Sequence, residues 1–359
     1  MARTARVIWA MAAGLVLGGC DSSDVDGGDI RGVFDHTASA SGSASGAPPA
    51  SARASASSSA SATPRIAARE RAPIDESCIA EQGEPAPRHR RYGKRPACRR
   101  ARVLEYRDED RTPRYGCVFE SSKIQQTKPL PLVVFLHGEF DDATALHKKT
   151  RLRALYHKLD LTGDPKHPGF VILSPQARKL EGSHSLRWDH GYHSRKNIDV
   201  VTIDHFVDEL LAAGLVDARQ IYVIGDSGGG RMAALYAMLR PDRVAAFATY
   251  AADASTYRWT CEQAPMPAAI AYRACDAMVP CADVEQWLGA RSEAHAPTFS
   301  LRLGSGKSKE PSCALSKSAC REKKGKANHH RWPKHNEREL LDYLGRYSLR
   351  ADPPPQSPP

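Results

Sequence analysis

From Pro131 onward, short apolar runs alternate with stretches whose apolar positions recur every three or four residues, the pattern of an α/β protein with a mostly parallel sheet. Leu132-Val133-Val134-Phe135-Leu136 is apolar at every position, as a strand covered on both faces must be. Phe170-Val171-Ile172-Leu173 repeats this and is stopped by Ser174-Pro175, and Gln220 to Ile224 is a third run. Val244 to Tyr250, Ala268 to Tyr272 and Thr298 to Leu303 predict further central strands. Between the second and third runs, Asp199 to Ala213 places Ile203, Phe206, Val207, Leu210 and Leu211 on one helical face and ends at Gly214. Glu337 to Tyr347, with Leu340, Leu341, Leu344 and Tyr347 at helical spacing, predicts a closing helix. Residues 75 to 130 are rich in Arg, Pro and Cys; their short apolar pieces, Ala101 to Tyr106 and Tyr115 to Phe119, predict an edge hairpin pinned by disulfides. No internal repeat is visible.

The pattern changes in the N-terminal part. Arg3 and Arg6 precede an apolar run from Val7 to Leu17 that is short for a bilayer span, and Leu17-Gly18-Gly19-Cys20 follows. Residues 1 to 20 therefore read as a lipoprotein signal peptide whose lipobox leaves Cys20 lipidated at the new N-terminus. A plain signal peptide cleaved elsewhere is the rival reading. Thr37 to Thr63 is almost entirely Ala, Ser and Gly with scattered Pro, too poor in apolar surface to fold. The expected organisation is a signal peptide at 1–20, a linker at 21–72, a catalytic domain at 73–350 and a Pro-rich tail at 351–359. A tether of this kind places the domain on the extracytoplasmic side, anchored to a bacterial membrane through lipid. Asp21 resembles the inner-membrane retention signal of enterobacterial lipoproteins, and which membrane holds the anchor stays open.

Beyond Cys20, eight of the nine cysteines remain, an even number in a chain read as exported: Cys78, Cys98, Cys117, Cys261, Cys275, Cys281, Cys313 and Cys320. Up to four disulfides are expected. If all are paired, at least one joins the three early cysteines to the five late ones. No spacing resembles a zinc site, so neither metal nor cofactor is expected. The net charge of +10 arises largely from Arg88 to Arg102 and Lys307 to Lys326. On a tethered domain such patches suit anionic headgroups or an anionic surface polymer, or simply a solvated face. Nucleic-acid motifs are missing from the sequence, and no nucleic-acid partner is expected.

The chemistry concentrates at QIYVIGDSGGGRMAA, Gln220 to Ala234, where Gly-x-Ser-x-Gly follows an apolar β-branched run and opens a helical stretch. That is the context of a nucleophile elbow. Gly225 and Gly229 permit the tight turn, and Ser227 is placed above the sheet at a helix N-terminus, where negative charge is favoured. A serine hydroxyl needs a base, and the base needs an acid to fix its tautomer. The chain order Ser, acid, His is met by Asp276, in RACDAMVP, and by His330, in NHHRWPKH. Asp253 is the rival acid; His329 and His335 are the rival bases. The oxyanion donors are expected to be the amides of Gly228, after the nucleophile, and of Glu139, in the His137-Gly138-Glu139 loop after the first strand. His137 is expected to be structural.

Taken together, PLVVFLHG, GFVILSPQA, RWDHG, QIYVIGDSGGGRMAA, CDAMVP and HRWP resemble the esterase family that includes polyhydroxybutyrate depolymerases and feruloyl esterases. The resemblance runs from about Arg114 to Tyr347 and implies an α/β-hydrolase fold. Within it, Asp276 with Val279-Pro280 matches the family's acid motif, and His330-Arg331-Trp332-Pro333 is similar to its His-x-Trp-Pro, which selects His330. It also implies substrate contact at Trp188 and Trp332. The chain departs from the family at Arg273-Ala274-Cys275, ahead of the acid, and at Asp226, where an uncharged residue is common. The resulting expectation is a serine esterase acting through an acyl-enzyme. A peptidase or amidase on the same fold, a non-catalytic lipoprotein binding anionic polymers, and, last, a lipase are the alternatives.

Overall fold

The computed structural model describes residues 67–69, 93–120, 128–166, 168–179, 185–191, 197–257, 265–304, 313 and 322–350. The signal peptide with Cys20, the proline-rich tail, Cys78, Cys261, Cys320, residues 88–92 of the first basic segment and most of the second lie outside these residues.

Eight strands form the main sheet: β1 (Arg102–Arg107), β2 (Pro113–Phe119), β3 (Leu130–Leu136), β4 (Val171–Pro175), β5 (Val216–Asp226), β6 (Ala246–Tyr250), β7 (Ala268–Arg273) and β8 (Thr298–Leu303). Their spatial order is β1-β2-β4-β3-β5-β6-β7-β8. The pairs β1–β2 and β2–β4 are antiparallel and the others parallel. This is the α/β-hydrolase fold, with the expected edge hairpin as β1–β2 and the disulfide Cys98–Cys117 tying β2 to the segment before β1.

The continuous apolar runs follow from helices covering both faces. On β3, Leu132, Val134 and Leu136 join one core with α2 (Ile198–Ala212) and α3 (Gly228–Leu239), while Val133 and Phe135 join a second. Because successive strand side chains alternate in direction, every position of β3 is buried, and no polar residue is tolerated. The second core is closed by Leu146 of α1 (Ala145–Lys149) and by Leu340, Leu341 and Leu344. Asn197 caps α2, its side chain accepting from the amides of Asp199 and Val200.

The sequence pattern and the structure part in three places. The closing helix, Glu337–Leu344, stops before Tyr347, because Tyr347–Leu349 finds ladder partners in Ala67–Arg69. Those three residues fall within the span expected to be linker, so ordered chain begins before residue 73. The Arg69 guanidinium secures them by donating to the carbonyls of Val244, at 2.7 Å, and Pro241. Between β7 and β8, the helix α4 (Cys281–Glu293) carries too little apolar periodicity to be read from sequence; of its 13 residues only Cys281, Val284 and Trp287 are buried. Cys281 is bridged to Cys313. Cys275 is also disulfide-bonded, and the expected bridge between early and late cysteines would use Cys78, outside the described residues.

Candidate active site

Parallel pairing brings the chemistry to one edge of the sheet. Leu136 of β3 pairs with Gly225 of β5, and Asp226 pairs with Tyr250 of β6, so the loops after these strands leave side by side. At the elbow Ser227 has φ 54° and ψ −120°, outside the regions comfortable for a side-chain-bearing residue. Its amide donates to the Tyr250 carbonyl at 2.8 Å. The flanking glycines are required: a Cβ on Gly225 would lie 2.0 Å from the Gly229 carbonyl oxygen, and one on Gly229 would lie 2.2 Å from that of Leu136.

Ser227 Oγ lies 2.7 Å from Nε2 of His329, and His329 Nδ1 lies 2.8 Å from Oδ2 of Asp276. Asp276 is oriented by the amides of Met278 and Val279, which donate to its other oxygen at 2.8 and 2.9 Å. With Nδ1 donating to the carboxylate, Nε2 carries the lone pair that faces the hydroxyl. The predicted base His330 does not make these contacts. His329 ends the helix α5 (Glu322–His329), whose last turn is pinned to the sheet. Asn328 Nδ2 donates to the Cys275 carbonyl at 2.8 Å, and Tyr250 Oη donates to the Asn328 carbonyl at 2.7 Å. Neighbouring positions at a helix end diverge by about 100°, so with His329 directed inward the His330 ring is left exposed at the cleft rim. Partial desolvation against the cleft rim, then the neighbouring His329, lowers the His330 pKa. The rival acid Asp253 is occupied locally, accepting from the amide and hydroxyl of Ser255 at 2.8 and 2.9 Å.

The loop after β3 lies against the elbow: a Cβ on Gly228 would come within 3.2 Å of Glu139 Cγ. The Glu139 carboxylate turns to the rim, where it meets Arg187 at 3.5 Å. His137 is fully buried and bridges loops, Nε2 accepting from the Ala177 amide at 3.1 Å and Nδ1 donating to the Gly138 carbonyl at 2.8 Å. Burial depresses its pKa, which keeps the ring neutral in this role.

Neither tryptophan expected at the substrate stands in the cleft over Ser227. Trp188 is buried and donates to the His137 carbonyl at 2.7 Å, bracing the loop after β3 from behind. Trp332 packs edge-on against Phe135 and Tyr250 in the second core and donates to Glu337. The cleft, of about 180 Å³, is lined instead by the exposed side chains of Phe140 and Met278, by Ala251, Ala252 and Val279, and by Lys149, His190 and Arg231. No periodicity marks these residues, since each lies on a loop or helix end that the fold gathers.

Asp226, an unexplained departure in the sequence, acquires a reason. It is buried, and its Oδ2 meets Lys149 Nζ at 2.8 Å; the same ammonium meets Asp141 of the loop after β3 at 2.6 Å. Lys149 thus ties the residue before Ser227 to the loop after β3. Burial opposes the ammonium, but the two carboxylates outweigh it and hold the amine more firmly protonated than usual. Burial also pushes Asp226 above the ordinary carboxylate range, with Lys149 drawing it back. Lys149→Met leaves the Asp226 carboxyl buried without its cation and is expected to cost about 3–5 kcal/mol in chemical denaturation. Lys149→Met with Asp226→Asn is expected to recover most of that loss; equal destabilisation of the single and double variants would rule out the pairing as its source.

Among the described residues, Cys281, Glu285 and Cys313 are the metal-ligand types that cluster, but both sulfurs are consumed in a disulfide and offer no thiolate. In sequence comparison no curated protein matches the chain. Solved structures similar to it include a thermostable esterase at 16% identity (TM-score 0.47), with 70% of this chain and 64% of that chain covered. Esterase 2 of Thermogutta terrifontis is similar at 14% identity (TM-score 0.44), covering 59% of this chain and 84% of that one. The CE1 ferulic acid esterase of Anaeromyces mucronatus is similar at 12% identity (TM-score 0.44), covering 64% and 90%. Residues 123–255, which hold the loop after β3 and the tight turn at Ser227 but neither Asp276 nor His329, match the family described as Esterase PHB depolymerase, the resemblance that the motifs of this chain carry.

Proposed function

We propose that the protein is a serine esterase acting through an acyl-enzyme, with Ser227 as nucleophile, His329 as base and Asp276 as its orienting acid. The observation that carries this reading is the continuous chain of contacts, Ser227 Oγ to His329 Nε2 at 2.7 Å and His329 Nδ1 to Asp276 at 2.8 Å, on a strained elbow. As Ser227 Oγ bonds to the ester carbonyl carbon, its proton passes to His329 Nε2, and Asp276 stabilises the imidazolium. The carbonyl electrons move onto oxygen, where the Gly228 and Glu139 amides and the N-terminus of α3 meet the charge. Collapse expels the alcohol, which takes the proton from Nε2. A water then bonds to the acyl carbon as it gives a proton to the same nitrogen, the bond from that carbon to Ser227 Oγ breaks to release the acid, and Nε2 returns the proton to Oγ. None of these steps calls on a metal or an organic cofactor.

The proposal includes export and anchoring through Cys20, as the N-terminal sequence suggests. The Cys98–Cys117 and Cys281–Cys313 bridges support an oxidising compartment. The test is a fluorophosphonate probe on the oxidised protein, followed by mass mapping. A label on the peptide holding Ser227, abolished in Ser227→Ala, is the expected outcome. A folded protein that takes no label would instead favour a binding module that keeps the fold without the chemistry.

A further inference from the structure

Arg231 sits one turn into α3, its amide donating to the Ser227 carbonyl at 3.1 Å, which places its Cα about 6 Å from that of the nucleophile. It lines the same cleft as Ser227, His329, Gly228 and Glu139. The other charged side chains that line it have their opposites: Lys149 has Asp226 and Asp141, and Glu139 has Arg187. His190 is held neutral by burial, against the pull of its bond to the Gly228 carbonyl. Arg231 has no carboxylate partner among the described residues, and its Nε is buried without a hydrogen-bond partner. The phenol of Tyr257 beside it is pushed up to about 12 by burial, despite the guanidinium, so it supplies no counter-charge.

A part-buried guanidinium with no carboxylate partner and only a neutral phenol beside it has lost free energy that a bound anion restores. Its planar fork suits a carboxylate, which it can grip through two parallel hydrogen bonds. We infer that Arg231 makes the enzyme selective for small esters carrying a carboxylate, the anion docking on Arg231 while the ester carbonyl meets Ser227. This rests on the esterase reading above. The volume of about 180 Å³ suits a short acid or alcohol arm, and Phe140 and Met278 supply an apolar rim for the neutral remainder.

The experiment compares kcat/KM for two matched pairs of esters. In one pair the anion is on the acyl arm, 4-nitrophenyl hydrogen succinate against its methyl ester; in the other it is on the alcohol arm, 4-carboxyphenyl acetate against phenyl acetate. The wild-type enzyme is expected to prefer the anionic member of at least one pair by about tenfold or more, the preference falling with added salt. In Arg231→Gln the ratio of anionic to neutral ester should collapse towards one, and Arg231→Lys should restore part of it. No anionic preference in the wild type, or one that Arg231→Gln preserves, would overturn the inference while leaving the esterase intact. Failure to hydrolyse any of the four esters would overturn the esterase reading itself.

Discussion

His329→Ala is expected to lower kcat for short 4-nitrophenyl esters by about 10⁴ or more, whereas His330→Ala should stay within about tenfold of the parent. The two imidazoles are adjacent in sequence and stand edge to face, with ring centroids 5.2 Å apart. Only one bridges Ser227 and Asp276. Without His329, Ser227 loses the group that takes its proton, and the oxyanion amides alone cannot activate a hydroxyl. Without His330, a residue at the cleft rim is lost and the proton path remains. Stopped-flow or steady-state assays of both variants distinguish the outcomes. A costly His330→Ala beside a benign His329→Ala would show that the last turn of α5 is shifted by one residue in the working enzyme.

This one-residue difference marks how far the sequence could be read. The elbow was legible because tight sterics restrict its composition: a Cβ at Gly225 or Gly229 would overlap backbone atoms, so the motif carries its own reason. The strands β3 to β7 were legible because helices cover both faces of the sheet and leave apolar runs, whereas Thr298 to Leu303, expected as a central strand, is the edge strand β8, where Ser300 and Arg302 alternate with half-buried Phe299, Leu301 and Leu303. The choice between His329 and His330 was not, because it depends on the phase of a short helix fixed by tertiary contacts, Asn328 to Cys275 and Tyr250 to Asn328, rather than by local pattern. The tryptophans misled for a related reason. An indole near a catalytic motif can face the substrate or brace the loop behind it, and only the partners of Nε1, the His137 carbonyl and Glu337, decide. Lys149 escaped notice because its two carboxylates lie 8 and 77 residues away. Asp226, by contrast, announced itself as an anomaly, and the anomaly led to the ion cluster that joins the Ser227 turn to the loop after β3.

Asp276→Asn is expected to reduce kcat by about 10⁴ near neutral pH while Asp253→Asn has little effect. The loss follows from hydrogen-bond polarity rather than from lost packing. In the parent, one oxygen of Asp276 accepts from the Met278 and Val279 amides and the other accepts from His329 Nδ1. An asparagine keeps its carbonyl on those two amides and turns its NH₂ group towards Nδ1, where it can only donate. The imidazole must then carry its proton on Nε2, which donates to Ser227 instead of accepting from it, and the base is present in the wrong tautomer. The variant should therefore still fold, and should be labelled by a fluorophosphonate at a correspondingly slower rate. Asp253 holds only the turn at Ser255, so its amide variant should leave turnover close to that of the parent. Equal deficits in the two variants, or full turnover in Asp276→Asn, would mean that the imidazole is oriented by another group.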